Sequence, residues 1–238
     1  MEILFSDNQL VVCIKPVGLD SEQEMPKALQ EAVGGQIFPL HRLDKNVGGL
    51  MVYARTKAAA ATLSKVIQEG QMIKEYVAMV HGTPPQADTW KDLLFKDSRK
   101  NKVFVVKRSR NGVKAASLEF IRLTPCPPLR GGCRPMPTGG VSSNTNHTPS
   151  VTFGDSSLTE GAESRSLVRI KLHTGRSHQI RVQFSSRGFP LVGDHKYGSR
   201  AAETEPMLYS CALTFPYGGK IHHFESLPTW GVTAESET

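Results

Sequence analysis

The sequence has few cysteines and no long apolar run. Its four cysteines are scattered over 238 residues, too few for a disulfide scaffold, and they lack the paired spacing of a zinc site. No window approaches the roughly 18 consecutive apolar residues that a membrane span needs. The first residues do not have the pattern of a signal peptide. We therefore expect a cytoplasmic protein with no metal centre and no membrane contact.

Positive charge is in excess. The formal net charge is +7 at pH 7, and the sequence pI is about 9.3. This balance favours a polyanionic partner such as a nucleic acid, although a solubilising surface excess would look the same. The length fits one large domain or a two-lobed one with a sizeable core.

Short strands outnumber helices along the chain. Alternating or apolar segments predict strands within 2–14 and at 50–54, 73–81, 103–107, 116–123, 167–172 and 207–215. The turn-like pair Asn111-Gly112 predicts a hairpin between the strands at 103–107 and 116–123. Helices are predicted at 26–32, at 57–69 with Thr56 as its cap, and at 178–186 with Ser177 as its cap. These elements predict an α+β fold around a large, mostly antiparallel sheet.

One segment has a different composition. Residues 125–165 are rich in proline, glycine, serine and threonine, so they cannot bury enough apolar surface to pack as a core element. We predict a flexible surface insertion there. The rest of the chain is expected to form one two-lobed domain over 1–238, interrupted by this insertion.

Three residues are candidates for one site. Asp44 lies on a loop that leads into a buried strand, Arg181 is in the first turns of a helix, and Tyr76 lies on an amphipathic strand. A positioned carboxylate beside a guanidinium can act as a nucleophile, a general base or a stabiliser of an oxocarbenium-like sugar cation. The residues alone leave two further readings open, a structural ion pair and a tyrosine that belongs to the core.

A basic cluster surrounds the strand predicted at 103–107. It consists of Lys100, Lys102, Lys107, Arg108 and Arg110. It is either a solvated hairpin edge or a phosphate-binding strip. We favour the strip because further cations, Arg42 and Arg176 among them, lie near the presumed site.

Four segments, in the same order, resemble the RluA-type RNA pseudouridine synthases. They are His41-Arg42-Leu43-Asp44 with Gly49-Leu50, the strand Lys74 to Gly82, the segment Thr174 to Val182, and Pro190 to Asp194 with Tyr197-Gly198. Any one of them alone would be weak, whereas four in order are specific. The sequence departs from the family pattern at Val47-Gly48, at Gln183 and at Leu208-Tyr209-Ser210, which bears on substrate selection more than on chemistry.

The resemblance implies a pseudouridine synthase fold, with helices flanking the sheet and a central catalytic cleft. It also implies a single catalytic domain over 1–238, without the separate N-terminal RNA-binding domain that some members of the family carry. It implies isomerisation of specific uridines in structured RNA, ribosomal or transfer, by a monomer without a cofactor. Asp44 would be the essential catalytic residue, Arg181 would hold it, and Tyr76 would stack on the flipped uracil. Substrate contacts are assigned to His41, Arg42, Arg176, His178 and Gln179. The rival readings are an N-glycoside hydrolase and a catalytically silent RNA-binding module.

Overall fold

The computed structural model describes residues 1–126 and 164–230. The strands are β1 Glu2–Ser6, β2 Leu10–Lys15, β3 Phe38–Pro39, β4 Gly48–Ala54, β5 Ile73–His81, β6 Ala87–Asp97, β7 Lys102–Val106, β8 Val113–Cys126, β9 Arg165–Leu172, β10 Leu208–Tyr217 and β11 Lys220–Glu225. The helices are α1 Glu24–Val33, α2 Lys57–Gln68 and α3 Gln179–Ser185, with a 3₁₀ turn at His195–Tyr197. The predicted α+β fold with a large sheet is confirmed.

All eleven strands belong to one sheet. Its order is β1-β2-β4-β10-β5-β9-β8-β6-β7, with β11 paired to β10 and β3 paired to β4. The pairing of β10 with β4 is parallel, and the other pairings of the described strands are antiparallel. The parallel step lies at the centre of the sheet, where the loop before β4 reaches the neighbourhood of β5.

Alternation along β5 separates the two faces of the sheet, as predicted. Tyr76, Ala78 and Val80 belong to the main core cluster, whereas Val77 and Met79 belong to clusters on the opposite face. Helix α2 covers another part of the sheet through Leu63 and Val66. Its predicted cap is confirmed, because Thr56 Oγ1 accepts a hydrogen bond from Ala59 N at 3.1 Å.

Helix α3 is fixed to the sheet by an aromatic cluster. The ring centroid of Phe184 lies 4.6 Å from that of Trp90 and 5.2 Å from that of Phe120. Phe184 is fully buried, and burial of such a side chain stabilises the fold by about 2–3 kcal/mol. This contact sets the orientation of α3 and therefore of the polar residues one turn earlier.

The predicted hairpin between the strands at 103–107 and 116–123 is wrong. No strand was predicted over 87–97, but β6 occupies this segment and pairs with both β7 and β8. Phe95 faces Phe104 on one side and Val113 on the other, so the Asn111-Gly112 turn does not join two paired strands. Five of the eleven residues of β6 are charged, which hid its strand character, since only one face of the strand is buried.

Two smaller predictions also change, and one strand was not predicted. The segment after β10 contains β11. Helix α3 begins after His178, which has a left-handed backbone conformation, and no side chain caps it. The predicted insertion at 125–165 lies mostly outside the described residues, but its edges belong to strands: Pro125 pairs with Ser166 and Cys126 with Arg165.

Candidate active site

The loop that carries Asp44 is held by hydrogen bonds on both sides of the carboxylate. Ser21 Oγ donates to Leu43 O at 3.0 Å, and Gly18 N donates to Lys45 O at 2.9 Å. The loop closes on itself through Val47 N and Asp44 O at 2.9 Å. Asp44 therefore has a fixed backbone, while 19% of its side chain stays exposed.

Lys15 gives this loop a buried support that the sequence analysis did not identify. Its ammonium group donates to Pro16 O at 2.9 Å, to Leu19 O at 2.9 Å and to Lys45 O at 3.1 Å. Burial lowers the pKa of Lys15 to about 8, against the opposing charges of Asp20 and Asp44. The signal in the sequence is a lysine at the end of an apolar strand, directly before the segment Pro16 to Gly18.

Arg181 lies between two carboxylates. Its Nη1 donates to Asp44 Oδ2 at 3.0 Å. Its Nε donates to Asp194 Oδ2 at 2.6 Å, and its Nη2 donates to Asp194 Oδ1 at 2.8 Å. Burial works against the charge of this guanidinium, but the two carboxylates, Asp194 foremost, raise the pKa of Arg181 above its usual value.

The structure thus brings Asp44 and Arg181 together, 137 residues apart in the chain. Asp194 was missed as a site residue. Its segment had been noted, but nothing in the spacing of a loop residue indicates that its side chain will turn inward to meet a helix.

Tyr76 completes the site from strand β5. It is buried, with 6% of its surface exposed, and it lines a small cavity together with Asp44 and Arg181. Burial, and after it the charge of Asp44, raises the pKa of the Tyr76 phenol. The hydroxyl therefore stays protonated at neutral pH.

His178 is linked to the site through Tyr197. The Tyr197 hydroxyl accepts from Val103 N at 2.9 Å and lies 2.8 Å from His178 Nδ1. His178 Nε2 lies 3.8 Å from Asp44 Oδ2. Burial lowers the pKa of His178, which favours a neutral ring. With the hydroxyl proton directed to Nδ1, the ring proton sits on Nε2 and points toward Asp44.

The remaining predicted contact residues differ in what they can reach. Arg42 is exposed beside Asp44 and pairs with Glu22 at 3.3 Å. Arg176 donates from Nε to Ala115 O at 2.9 Å and lines the small cavity that contains Asp44 and Tyr76. Both guanidinium groups are accessible to a ligand.

His41 and Gln179 are occupied by the protein itself. His41 Nε2 accepts from Val52 N at 3.2 Å, and burial, reinforced by the charge of Lys74, lowers the pKa of His41 to about 3. Gln179 Oε1 accepts from Arg176 N at 3.0 Å, and its Nε2 donates to Ser117 O at 3.0 Å. Gln179 lines the small cavity beside Tyr76, and His41 lines a larger cleft that also borders Asp44.

A cleft of about 380 Å³ opens from Asp44 toward β7. Its lining includes Arg42, Lys45, Lys96, Asn101 and Lys196. Lys102 of the basic cluster lies beside it, with Nζ 5.3 Å from the ring centroid of Tyr197. The cleft floor thus carries the Asp44–Arg181 pair, while its walls carry cations.

Metal-binding clusters and membrane-spanning helices are absent from residues 1–126 and 164–230. Within these ranges no group of three or more histidine, cysteine, aspartate or glutamate side chains is arranged to hold a metal ion. No helix in these ranges is long and apolar enough to cross a membrane.

The fold is that of the pseudouridylate synthase domains. The structure matches human RNA Pseudouridylate Synthase Domain Containing 1 with a TM-score of 0.72 at 20% identity, covering 95% of this chain and 83% of that one. It matches human RNA Pseudouridylate Synthase Domain Containing 4 with a TM-score of 0.68 at 22% identity, covering 96% and 89%.

Residues 9–186 match the family model described as RNA pseudouridylate synthase, and the chain belongs to this family. It is 30% identical over 207 residues to the dual-specificity RNA pseudouridine synthase RluA of Salmonella typhi, covering 84% of this chain and 78% of that protein. The expected RluA-type membership is confirmed.

Other relatives are longer than this chain. An uncharacterized RNA pseudouridine synthase of Chloroflexus aurantiacus is 31% identical over 193 residues, with 80% of this chain and 48% of that protein covered. Ribosomal large subunit pseudouridine synthase D of Zymomonas mobilis is 27% identical over 230 residues, with coverages of 90% and 61%. The chain thus spans about half to three fifths of the length of these two relatives.

Proposed function

We propose that this chain is an RNA pseudouridine synthase, an isomerase that converts specific uridines of ribosomal or transfer RNA to pseudouridine. The observation that carries the proposal is the Asp44 carboxylate, bound by Arg181 at 3.0 Å on the floor of a cationic cleft. Family membership supports it. One relative is named ribosomal large subunit pseudouridine synthase D, and another, from Vibrio vulnificus, is named tRNA pseudouridine synthase C. These names support ribosomal and transfer RNA as the two candidate substrate classes.

The reaction needs no net oxidation or reduction. The bond between uracil N1 and ribose C1′ breaks, the base turns, and a bond from C5 to C1′ forms. The hydrogen on C5 leaves as a proton, and N1 gains one. The chain must therefore supply a group that stabilises or captures the electron-poor sugar or base, and a group that moves a proton.

Asp44 fits either of these two tasks. As a nucleophile its carboxylate would form a covalent adduct, and as a base it would accept a proton; the site allows both. Arg181 holds the carboxylate in place through Nη1, so that its geometry is set before the substrate enters. The protonated phenol of Tyr76 offers a flat surface for the uracil and a hydroxyl near Asp44.

The target base must leave its stack to reach this site. A uridine inside a folded RNA is inaccessible, so it is flipped out, at a cost of a few kcal/mol. Arg42 is exposed beside Asp44 and is suited to fill the gap that the nucleotide leaves. Phosphate contacts from the cationic walls offset the remaining cost.

The same proposal extends to organisation. The chain acts as a single catalytic domain and as a cytoplasmic monomer that grips its RNA through the cleft walls. Lys96 of β6, Asn101 of the turn that follows it and Lys102 of β7 supply part of this grip. The basic cluster of the sequence analysis then serves as a phosphate-binding strip.

The test is isomerisation of unmodified RNA. Purified protein is incubated with ribosomal and transfer RNA transcripts, and nucleosides are separated and quantified. Pseudouridine should appear with the wild type and be absent with Asp44→Asn. Free uracil in place of pseudouridine would indicate a hydrolase, and unchanged RNA that still binds would indicate a silent binding module. Pseudouridine mapping in cells with and without the gene identifies the site.

A further inference from the structure

A second cleft lies on the Tyr76 side of Asp44. Its volume is about 740 Å³, and it shares Asp44, Tyr76 and Arg42 with the site described above. Strand β5, the end of α2 and the segment after β9 form its walls. A strand of RNA whose flipped nucleotide occupies the site would extend into this cleft.

The cations of this cleft differ in whether the protein neutralises them. Lys171 pairs with Glu119 at 3.1 Å, and Arg42 pairs with Glu22 at 3.3 Å. Lys74 and Arg176 form no ion pair with any carboxylate of the described residues. Arg176 is anchored to Ala115 O through Nε, which leaves its two Nη groups available.

Lys74 is the more unusual of the two. It is half-buried, and burial lowers its pKa. Its neighbour Glu75 is on the other face of β5 and binds Arg169 at 2.6 Å. A half-buried ammonium group without a counter-charge is unfavourable. An anion bound beside Lys74 would remove this unfavourable contribution.

Two local features direct Lys74 toward the substrate. Lys74 and Tyr76 are two residues apart on β5, so they share a face of the strand at a separation of roughly 7 Å. The loop at Gly175 also lies against the ammonium group: Lys74 Nζ would be in van der Waals contact, at 3.8 Å, with a Cβ at position 175. Lys74 and the Arg176 loop thus meet at one wall of the cleft.

We propose that Lys74 and Arg176 form a binding site for an RNA phosphodiester next to the flipped nucleotide. Each contributes a charge-assisted contact, and Arg176 can bind two phosphate oxygens with its planar group. The phosphate supplies the counter-charge that Lys74 lacks in the free protein. This inference rests on the proposed function, because it places the RNA backbone relative to the base that Tyr76 faces.

The experiment uses Lys74→Met, which keeps the length of the side chain and removes the charge. Binding of a fluorescein-labelled RNA stem–loop with uridines in its loop is measured by anisotropy at several KCl concentrations, in an Asp44→Asn background that prevents turnover. We expect about tenfold weaker binding at low salt. The slope of log K against log [KCl] should become shallower by about 0.7–0.9, the value for one phosphate contact. Lys220→Met, at an exposed lysine of β11, is the matched control.

Thermal unfolding separates a binding role from a structural one. Because the free protein loses an unpaired, half-buried charge, Lys74→Met should unfold at the same or a higher temperature than wild type. A lower melting temperature, or unchanged RNA affinity and salt slope, would overturn the proposal. A free anion as the true ligand would appear as stabilisation of the wild type by inorganic phosphate with RNA affinity unaffected by Lys74→Met.

Failure of this proposal is distinguishable from failure of the proposed function. Pseudouridine formation by the Asp44-containing protein, together with unchanged RNA binding by Lys74→Met, would reject the phosphate site alone. Loss of binding by Lys74→Met in a protein that forms no pseudouridine would retain the phosphate site and reject the reaction.

Discussion

Asp194 binds the Arg181 guanidinium edge-on, with both carboxylate oxygens engaged at 2.6 and 2.8 Å. The side chain of Asp194 has no exposed surface, so this pair is shielded from solvent. The arrangement leaves only Nη1 of Arg181 for Asp44. Asp194 is therefore a positioning residue: it decides where the guanidinium points, and through it where Asp44 is held.

The first prediction separates Asp194 from Asp44. Asp194→Asn leaves a buried guanidinium without its full counter-charge and should lower the free energy of unfolding by about 3 kcal/mol. Asp44→Asn, at a partly exposed side chain, should lower it by about 1 kcal/mol or less. Urea titrations of both variants measure the difference. Equal losses would contradict the assigned order of support.

The second prediction concerns activity. Asp44→Ala should abolish pseudouridine formation while RNA binding persists, because the cations that contact phosphate are untouched. Nucleoside analysis and anisotropy on the same preparation measure both quantities. An active Asp44→Ala variant would exclude Asp44 as the essential residue.

The third prediction is that Arg181→Met is nearly as inactive and far less stable. It leaves Asp194 buried and unpaired, at a cost of about 3–5 kcal/mol. The double variant Arg181→Met, Asp194→Leu removes both charges and should recover much of this stability, but no activity. Recovery of activity in the double variant would show that Arg181 is not needed to hold Asp44.

The sequence predicted the local features that depend on near neighbours. The cap at Thr56 and the alternation of β5 each follow from short-range sequence patterns, and the structure has both. The meeting of Asp44 with Arg181 was expected from the resemblance and from the chemistry of an isolated carboxylate, not from any periodicity.

The features that depend on distant contacts could not be predicted. Asp194 lies in a loop whose path is set by the packing of the segment between α3 and β10. His178 has φ of 49°, a left-handed conformation that is uncommon for residues other than glycine and that here accompanies the hydrogen bond between its ring and the Tyr197 hydroxyl. Strand β6 was hidden because half of its residues face solvent.

The fourth prediction concerns pH. His41 has a pKa of about 3 in the folded protein against 6.5 for the free side chain. Below about pH 6.5 the unfolded chain therefore binds a proton that the folded protein excludes, and stability falls as the pH falls. This residue should account for a loss of about 2 kcal/mol between pH 7 and pH 5.

The variant His41→Gln tests this contribution. Glutamine can accept the hydrogen bond from Val52 N and does not titrate. Its stability deficit relative to wild type should shrink by about 2 kcal/mol between pH 7 and pH 5 in urea titrations. The control is His223→Gln, at an exposed histidine of β11. A deficit that is the same at both pH values would contradict the protonation argument.

The fifth prediction concerns Gly49, at the parallel junction of β4 and β10. Its φ is +122°, and a Cβ there would lie 2.8 Å from Ser210 Cα. Gly49→Ala thus forces apart two central strands, one of which follows the Asp44 loop. We expect a loss of about 4 kcal/mol or more in the free energy of unfolding, together with loss of activity because Asp44 moves away from Arg181.

Gly70→Ala is the control. Gly70 also has positive φ, at +72°, but nothing lies within 4 Å of its Cβ position, so this variant should lose only about 1 kcal/mol. Similar losses in the two variants would mean that backbone conformation alone, and not the close approach of the strands, makes glycine necessary at position 49.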